Sequence, residues 1–144
     1  MDKLDKFAQG LQESILEDAK KRYSEKVVQL WLEPKNIGRM NDPDGAAVVK
    51  GLCGDTIEIY LSIKQDKIYD VLFFTEGCAP IIACGSMVTE LVKSKSIGDA
   101  LKISPDIIID ALCGLPKENI HCAILAVNTL HKAIADYLLR KANS

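Results

Sequence analysis

The sequence predicts an α+β domain, with a small antiparallel sheet of about three strands, helices packed mainly on one face and an N-terminal helical extension. Alternating apolar and polar residues, the pattern of a strand with one buried face, are confined to positions 46–75. Helical spacing of apolar residues then continues to the C-terminus, without the alternation of strands and helices typical of a parallel sheet. A chain of 144 residues suits one ordinary domain.

Composition excludes several classes of protein. With 48% hydrophobic and 26% charged residues the chain is globular. Its 18 basic and 20 acidic side chains give a net charge of −2, which argues against binding to nucleic acid or to an anionic membrane. We find no apolar run that approaches the roughly 20 residues needed to cross a bilayer. Acidic residues near the N-terminus argue against a secretory or transit peptide, so a cytoplasmic location is expected.

The N-terminal region 3–33 is predicted to be helical in two parts. Pro34 ends the second part, because proline lacks the N–H that a helix interior needs. The apolar stripe of the first part could pack on the domain, on a partner or on nothing, and packing on the domain or on itself is favoured. The two stripes consist of Leu4, Phe7, Leu11 and Ile15, and of Val27, Leu30 and Trp31.

Three strands are expected after a loop rich in turn-forming residues at 36–45. The segment 46–50 is the weakest candidate, whereas 56–64 alternates cleanly between apolar and polar side chains. The segment 68–75 follows after the polar turn 65–67, which predicts a hairpin. One buried and one partly wet face is what an antiparallel sheet packed under helices requires.

Helices are predicted for the rest of the chain. Pro80 suits the first turn of a helix that runs to about Lys93, and a short helix follows at 97–101. Ser104 is the expected N-cap of a helix that carries residues 107–113. One side of the final helix is predicted from spacings of three and four residues to contain Ile124, Val127, Leu130, Ile134, Tyr137 and Leu138.

The five cysteines are expected to be reduced, since an odd number without an export signal does not indicate a disulfide scaffold. No two of them form a Cys-x-x-Cys pair, so neither a zinc ribbon nor a ferredoxin-type run is encoded locally. Any metal site must therefore be assembled from distant segments. The cysteines lie at positions 53, 78, 84, 113 and 122.

Cys78 lies just before a predicted helix, where the helix dipole and free N–H groups favour the thiolate. A thiolate in that position is a nucleophile or a metal ligand, although a small buried hydrophobic residue is an equally good explanation. Cys53 and Cys122 also lie at ends of predicted elements. If the last helix docks on the sheet, these three thiols could meet at one end of it.

The remaining candidates are less specific. Asp55 and His121 accompany Cys53 and Cys122, but Asp55 is equally explained as a turn residue and His121 as a hydrogen-bonded side chain. Cys113 continues an apolar run and is predicted to lie in the core. Packing is favoured for Cys84, which could also approach the site from its rim.

With these residues in place, the sequence resembles the IscU/NifU-type scaffold proteins for iron–sulfur cluster assembly, over Tyr23 to about Arg140. The resemblance divides the chain into an N-terminal helical extension, 1–22, and an IscU-like scaffold domain, 23–144. The matching blocks, in order along the chain, are Tyr23-Ser24-Glu25-Lys26-Val27-Val28, Glu33-Pro34-Lys35-Asn36-Ile37-Gly38, Cys53-Gly54-Asp55, Gly77-Cys78, Val88-Thr89-Glu90, Leu115-Pro116, Ile120-His121-Cys122 and Ala133-Ile134-Ala135-Asp136-Tyr137.

The resemblance implies a scaffold, not an enzyme, in which Cys53, Cys78 and Cys122 receive sulfur from a cysteine desulfurase and bind iron. A [2Fe–2S] cluster would form there and pass to iron–sulfur acceptor proteins, with Asp55 or His121 as the fourth ligand. Zinc could occupy the same ligands. Soft thiolates suit iron and sulfide, and one oxygen or nitrogen ligand should hold a cluster less firmly than a fourth thiolate.

Three departures from the family pattern bear on partners. The segment 115–119 lacks the second proline and the lysine of the usual Leu-Pro-Pro-Val-Lys, which weakens the expectation of docking by an Hsp70-type chaperone. Cys84 replaces a common serine and could add an accessory thiol. Residues 1–22 extend beyond the usual start and could change self-association, including formation of a homodimer.

Two other functions compete with the scaffold. A zinc-bound sulfur-acceptor or regulatory protein of the same fold would use the same ligands, so the sequence does not separate the two. A thiol enzyme with Cys122 as nucleophile and His121 as base ranks last. Adjacent helical residues usually point apart, and no oxyanion-hole glycine motif is present.

Overall fold

The computed structural model describes residues 2–144 and confirms the α+β class. Three antiparallel strands pair in the order β1 (Gly45–Lys50), β2 (Thr56–Lys64) and β3 (Lys67–Thr75). A 3₁₀ turn, Lys117–Asn119, precedes the last helix. The α-helices are α1 (Lys3–Arg22), α2 (Glu25–Leu32), α3 (Ala79–Val92), α4 (Ile97–Leu101), α5 (Pro105–Ala111) and α6 (Ile120–Ala142).

The central strand β2 follows the predicted alternation. Ile57, Ile59 and Leu61 on one face are fully buried, and their partners on β1 and β3 extend the same apolar surface. Gln65 and Asp66 form the β2–β3 turn, both with positive φ (53° and 56°), as in the tight hairpin turns that match strand twist. The predicted hairpin is therefore confirmed.

Helices α3 and α6 cover the buried face of the sheet, α3 against β3 and α6 against β1 and β2. The approach of α3 is close enough to require glycine at position 85, because a Cβ there would lie 2.4 Å from the Phe73 ring. Phe73 itself is fully buried. This contact fixes the height of α3 over the sheet and hence the position of its N-terminus.

The predicted buried side of α6 is partly wrong. Val127, Leu130 and Ile134 are buried, but Ile124 and Leu138 are 42% and 43% exposed. The side that faces the sheet is completed by alanines, which are small enough to let α6 approach the strands. These alanines, at 123, 126 and 133, are fully buried.

The prediction that Cys113 lies in the core is also wrong. Helix α5 ends at Ala111, and Cys113 is exposed with a φ of 61°. A left-handed residue after a helix reverses the direction of the chain, so the apolar spacing of the helix no longer applies to it. Cys113 is therefore not part of the core and not part of the thiol cluster described below.

Helix α1 makes little contact with the domain. Of its residues, all described by the structure, Ala19 is the one that is buried. The apolar stripe is exposed, from 75% at Leu4 to 50% at Ile15. The expectation that this stripe packs on the domain is therefore wrong.

Helix α6 also bears on the membrane question. By length and composition alone the segment Lys117–Ala142 could cross a bilayer, contrary to the expectation that no run is long enough. Half of its most apolar window is buried inside the domain. Burial against β1 and β2 accounts for this apolar character, as it does in core helices of folded domains.

Candidate metal centre

The loop between β1 and β2, the junction between β3 and α3, and the start of α6 meet at one end of the sheet. Because the strands are antiparallel, the last residue of β1, the first residue of β2 and the last residue of β3 lie at the same end of the sheet. The first turn of α6 packs beside this end, since α6 lies along β1 and β2. This arrangement brings Cys53, Cys78 and Cys122 to the same end of the molecule.

Cys78 is the N-cap of α3, as its position before Pro80 predicted. The turn that delivers it is fixed by Thr75, whose hydroxyl donates to the Thr56 carbonyl (2.7 Å) and accepts from the Gly77 amide (3.1 Å). The Cys78 thiol donates to Oδ2 of Asp55 across 3.5 Å. A Cβ at position 77 would lie 2.9 Å from Cγ of Asp55, so glycine is required for this approach.

Cys122 lies in the first turn of α6, fully buried, and its thiol is near enough to Cys78 for each to alter the pKa of the other. The His121 ring turns back toward it, with Nε2 3.7 Å from the sulfur. The expectation that these adjacent side chains point apart is therefore wrong. Although Cys122 is buried, it lies at the same end of the sheet as Cys53 and Cys78, and both influence its pKa.

The two paired thiols differ in acidity. The hydrogen bond from Cys122 and the Ile81 backbone N–H lower the pKa of Cys78 to about 7, against burial and the charge of Asp55. The same pairing with Cys78, together with burial, raises the pKa of Cys122 far above its ordinary value. Cys78 is thus the more acidic of the two thiols. The raised pKa of Cys122 makes it a poor nucleophile, which argues against the thiol-enzyme hypothesis.

Cys53 is the least fixed of the three cysteines. It is exposed, in a loop closed by hydrogen bonds from the Gly51 amide to the Asp55 carbonyl (2.7 Å) and from the Gly54 amide to the Gly51 carbonyl (3.0 Å). Its thiol has no hydrogen-bond partner within residues 2–144, but its charge contributes to the raised pKa of Cys122. No three His, Cys, Asp or Glu side chains in this part of the chain are already spaced as a complete metal site. Binding of one metal centre by all three thiols therefore requires their side chains to move closer together.

Cys84 lies beneath this cluster and is fully buried, as the packing interpretation predicted. Burial and the charge of Cys78 raise its pKa to about 12. Cys84 is therefore neutral at pH 7 and shielded from solvent.

A polar surface cavity of about 340 Å³ adjoins Asp55, and the sequence analysis missed it. Arg39 forms a two-point ion pair with Glu58 (2.9 and 3.0 Å) and lies 3.9 Å over the Phe74 ring. The Tyr60 hydroxyl also donates to Glu58, and the Arg39 hydrogen bond is the main reason that the pKa of Glu58 is lowered. These residues lie on the outward face of β2 and β3 and in the preceding loop. The alternation of apolar and polar residues in these strands predicts only that their outward face is solvated, so the sequence gave no indication of this cavity.

Thiol reactivity tests the acidity of the pair. In metal-free protein, alkylation of Cys78 by iodoacetamide is expected to be half-maximal at about pH 7, because only the thiolate reacts. Cys84 should remain unmodified over the same range, since burial holds it neutral. The measurement is peptide mass spectrometry across a pH series, with the urea-unfolded protein as control. A midpoint near the unfolded value of 9 for Cys78 in the folded protein would contradict the assignment.

The fold and its cysteines define a class: a small α+β domain that gathers thiols at one end of an antiparallel sheet. The chain belongs to the family of the NifU-like N-terminal domain, whose profile matches residues 22–144. This confirms the resemblance inferred from the sequence.

Curated relatives carry scaffold names. The chain is 46% identical over 116 residues to iron–sulfur cluster assembly scaffold protein IscU 1 of Archaeoglobus fulgidus, covering 80% of this chain and 76% of that protein. It is 41% identical over 122 residues to the IscU of Aquifex aeolicus, covering 83% and 78%. It is 38% identical over 126 residues to the IscU of Buchnera aphidicola, covering 84% and 98%.

Solved structures share the fold. The SufU protein of Fervidobacterium islandicum superposes with a TM-score of 0.65 at 24% identity, over 78% of this chain and 96% of that one. The N-terminal part of a NifU-like protein from Brucella abortus gives a TM-score of 0.64 at 19% identity, over 81% and 94%. At these identities the likeness concerns the fold alone.

Proposed function

We propose that this protein is a scaffold on which iron–sulfur clusters are assembled and from which they are transferred to acceptor proteins. Sulfur would come from a cysteine desulfurase, and iron and sulfide are the cargo of the site. The observation that carries the proposal is that the sulfur of Cys78 lies 3.5 Å from Asp55 and the sulfur of Cys122 lies 3.7 Å from His121, at the same end of the sheet. The scaffold names of the curated relatives support it.

The proposed ligands are the thiolates of Cys53, Cys78 and Cys122, with one harder ligand. Asp55 lies 3.5 Å from the sulfur of Cys78, and His121 lies 3.7 Å from that of Cys122, so both are within reach of a cluster held by the pair. Four ligands, two for each iron, suit a [2Fe–2S] cluster. A carboxylate or imidazole in the fourth position binds iron and sulfide less firmly than a thiolate, which favours release.

The position of Cys53 suits a site that must load and unload. Its loop is exposed and turns at Gly54, where a positive φ of 92° allows a tight reversal. Closure of this loop would bring the third thiolate to Cys78 and Cys122, and opening would expose the cluster to an acceptor. Cys78 is exposed as well, so a persulfide donor could reach it directly.

Zinc is the second candidate for the same ligands. Three thiolates and one carboxylate or imidazole also make a tetrahedral zinc site. The protein would then be a zinc-bound sulfur acceptor or regulatory protein. The adjacency of Asp55 to Cys78 supports this alternative as well. Identification of the bound metal, iron or zinc, is therefore needed to distinguish the scaffold from the zinc protein.

The proposed role is non-enzymatic, since each cluster assembled is consumed by an acceptor, and the proposed location is the cytoplasm, as expected from the acidic N-terminal sequence. Expected partners are a cysteine desulfurase and iron–sulfur acceptor proteins. The sequence of residues 115–119 weakens the expectation that an Hsp70-type chaperone docks there. Lys117 and Glu118 are exposed there, but the second proline of the family pattern is absent.

Anaerobic reconstitution tests the proposal. Protein incubated with ferrous iron, cysteine, a cysteine desulfurase and excess dithiothreitol, the thiol that reduces persulfide sulfur to sulfide, is expected to develop visible charge-transfer bands and to activate an iron–sulfur apo-acceptor. Metal-edge spectroscopy of protein purified without oxygen should show iron with roughly three to four sulfur neighbours on average, namely the two bridging sulfides and one or two thiolates of the chain. Zinc bound at these thiols, with no cluster formed after zinc is removed by chelation, would reject the scaffold in favour of the zinc protein.

A further inference from the structure

We propose that α1 pairs antiparallel with α1 of a second copy of this chain, forming a weak dimer through a surface that is separate from the thiol site. This inference does not depend on the proposed function. It concerns Lys3–Arg22, and the family profile begins only at residue 22.

An exposed apolar stripe is the first observation. The side chains at 4, 7, 11 and 15 recur at helical spacing and are 75%, 71%, 51% and 50% exposed. An isolated helix of about 20 residues is marginal in water, and most helices in proteins are stabilised by packing of an apolar face. Within the described part of the chain, nothing packs on this face of α1.

Charges beside the stripe select the partner. Lys3 and Glu17 are exposed and separated by about four turns, so they lie on the same flank of the helix. Gly10 stands midway between them on that flank, and no atom lies within 4 Å of the position its Cβ would occupy. A twofold axis near Gly10 therefore places Lys3 of each copy opposite Glu17 of the other copy, so the dimer would contain two equivalent Lys3–Glu17 ion pairs. The same axis crosses the middle of the apolar stripe.

The antiparallel direction follows from where α1 joins the domain. The C-terminal end of α1 continues through Tyr23 into α2, whereas its N-terminal end extends away. Antiparallel pairing leaves the two domains at opposite ends of a helix pair about 30 Å long, where they do not collide. A lipid surface is a poorer fit, because the five basic and four acidic side chains of α1 nearly cancel.

The buried area sets the expected strength. With roughly 150–250 Å² for each large side chain, the exposed fractions give on the order of 450 Å² of apolar surface per helix. Two copies would bury about 900 Å², less than the roughly 1,200–2,000 Å² of a standard stable interface. The dimer is therefore expected to dissociate in the micromolar range or above.

Sedimentation velocity of the full chain over a concentration series tests the pairing. Wild type should shift from monomer to dimer, and Leu11→Glu should weaken dimerisation at least about tenfold by placing a charge in the apolar seam. Gln9→Glu, with the same change of charge on the opposite face, should dimerise as wild type does. Circular dichroism should show that both variants retain the folded domain.

A charge exchange tests the geometry. Lys3→Glu alone should weaken the dimer, and Lys3→Glu combined with Glu17→Lys should restore it. Failure of the double variant to recover would overturn the antiparallel arrangement. A wild-type chain that stays monomeric at every concentration would overturn self-pairing, and binding of that monomer to phosphatidylcholine vesicles would assign the stripe to a lipid surface instead.

Discussion

Replacement of Cys78 by alanine is expected to abolish cluster assembly while leaving the fold intact. Cys78 is the more acidic of the two neighbouring thiols, and its sulfur lies 3.5 Å from Oδ2 of Asp55. Its loss removes the ligand that connects the two sides of the site. Changes outside the ligands of a metal already cost about 10–100-fold in affinity, so loss of this thiolate should cost more than about 100-fold. The measurement is the charge-transfer absorption after anaerobic reconstitution.

Cys113→Ala is the matched control for Cys78→Ala. Cys113 is also exposed, but it follows α5 and lies outside the thiol cluster. This variant should assemble and transfer clusters as wild type does. If Cys78→Ala gave normal absorption bands, or if both variants lost them equally, the thiol pair would not be the assembly site.

The parts of the fold that were predictable are those in which local spacing and burial coincide. Alternation in β2 identified the buried face of the sheet because every second side chain faces α3 or α6. Pro80 and Ser104 located the starts of α3 and α5, since each residue has a local chemical reason to stand there. Cys78 was placed correctly as an N-cap for the same reason.

The wrong predictions share a cause. The spacing of apolar residues shows which side of a helix is apolar, but it does not show which part of the protein, if any, packs against that side. The stripe of α1 has helical spacing, but the domain offers no surface to it. In α6, small alanines rather than Ile124 and Leu138 form part of the side against the sheet. Cys113 continues an apolar run in the sequence, but α5 ends at Ala111 and the left-handed backbone at Cys113 turns the chain away from the core.

The sequence predicted which residues belong to the candidate site better than it predicted how their side chains are arranged. Cysteines at the ends of elements indicated convergence, and the structure brings Cys53, Cys78 and Cys122 to the same end of the sheet. The contact of His121 with Cys122 depends on a side-chain rotation that sequence does not encode. The Arg39–Glu58 pair beside Asp55 depends on the loop after α2, whose Gly38 amide bonds to the Phe73 carbonyl on β3 (2.8 Å). Such long-range contacts leave no local pattern.

Asp55→Ala is expected to prolong the lifetime of the bound cluster and to slow its transfer. The carboxylate of Asp55 lies 3.5 Å from the sulfur of Cys78, where its negative charge opposes the charge of a thiolate. A cluster held by three thiolates is itself anionic, so removal of Asp55 relieves repulsion and also removes a hard, exchangeable ligand. We expect the lifetime to increase roughly five- to tenfold, the effect of about 1 to 1.4 kcal/mol.

Transfer to an apo-acceptor, followed by circular dichroism in the visible range, measures this effect. Asp70→Ala provides the control, since Asp70 lies on β3 and its nearest cation is Lys93 at 3.7 Å, away from the thiols. That variant should transfer its cluster at the wild-type rate. Equal rates for wild type and Asp55→Ala would remove Asp55 from the release step and leave His121, beside Cys122, as the harder ligand of the site. A slower release with Asp55→Ala alone would show that the carboxylate next to Cys78 makes the site labile.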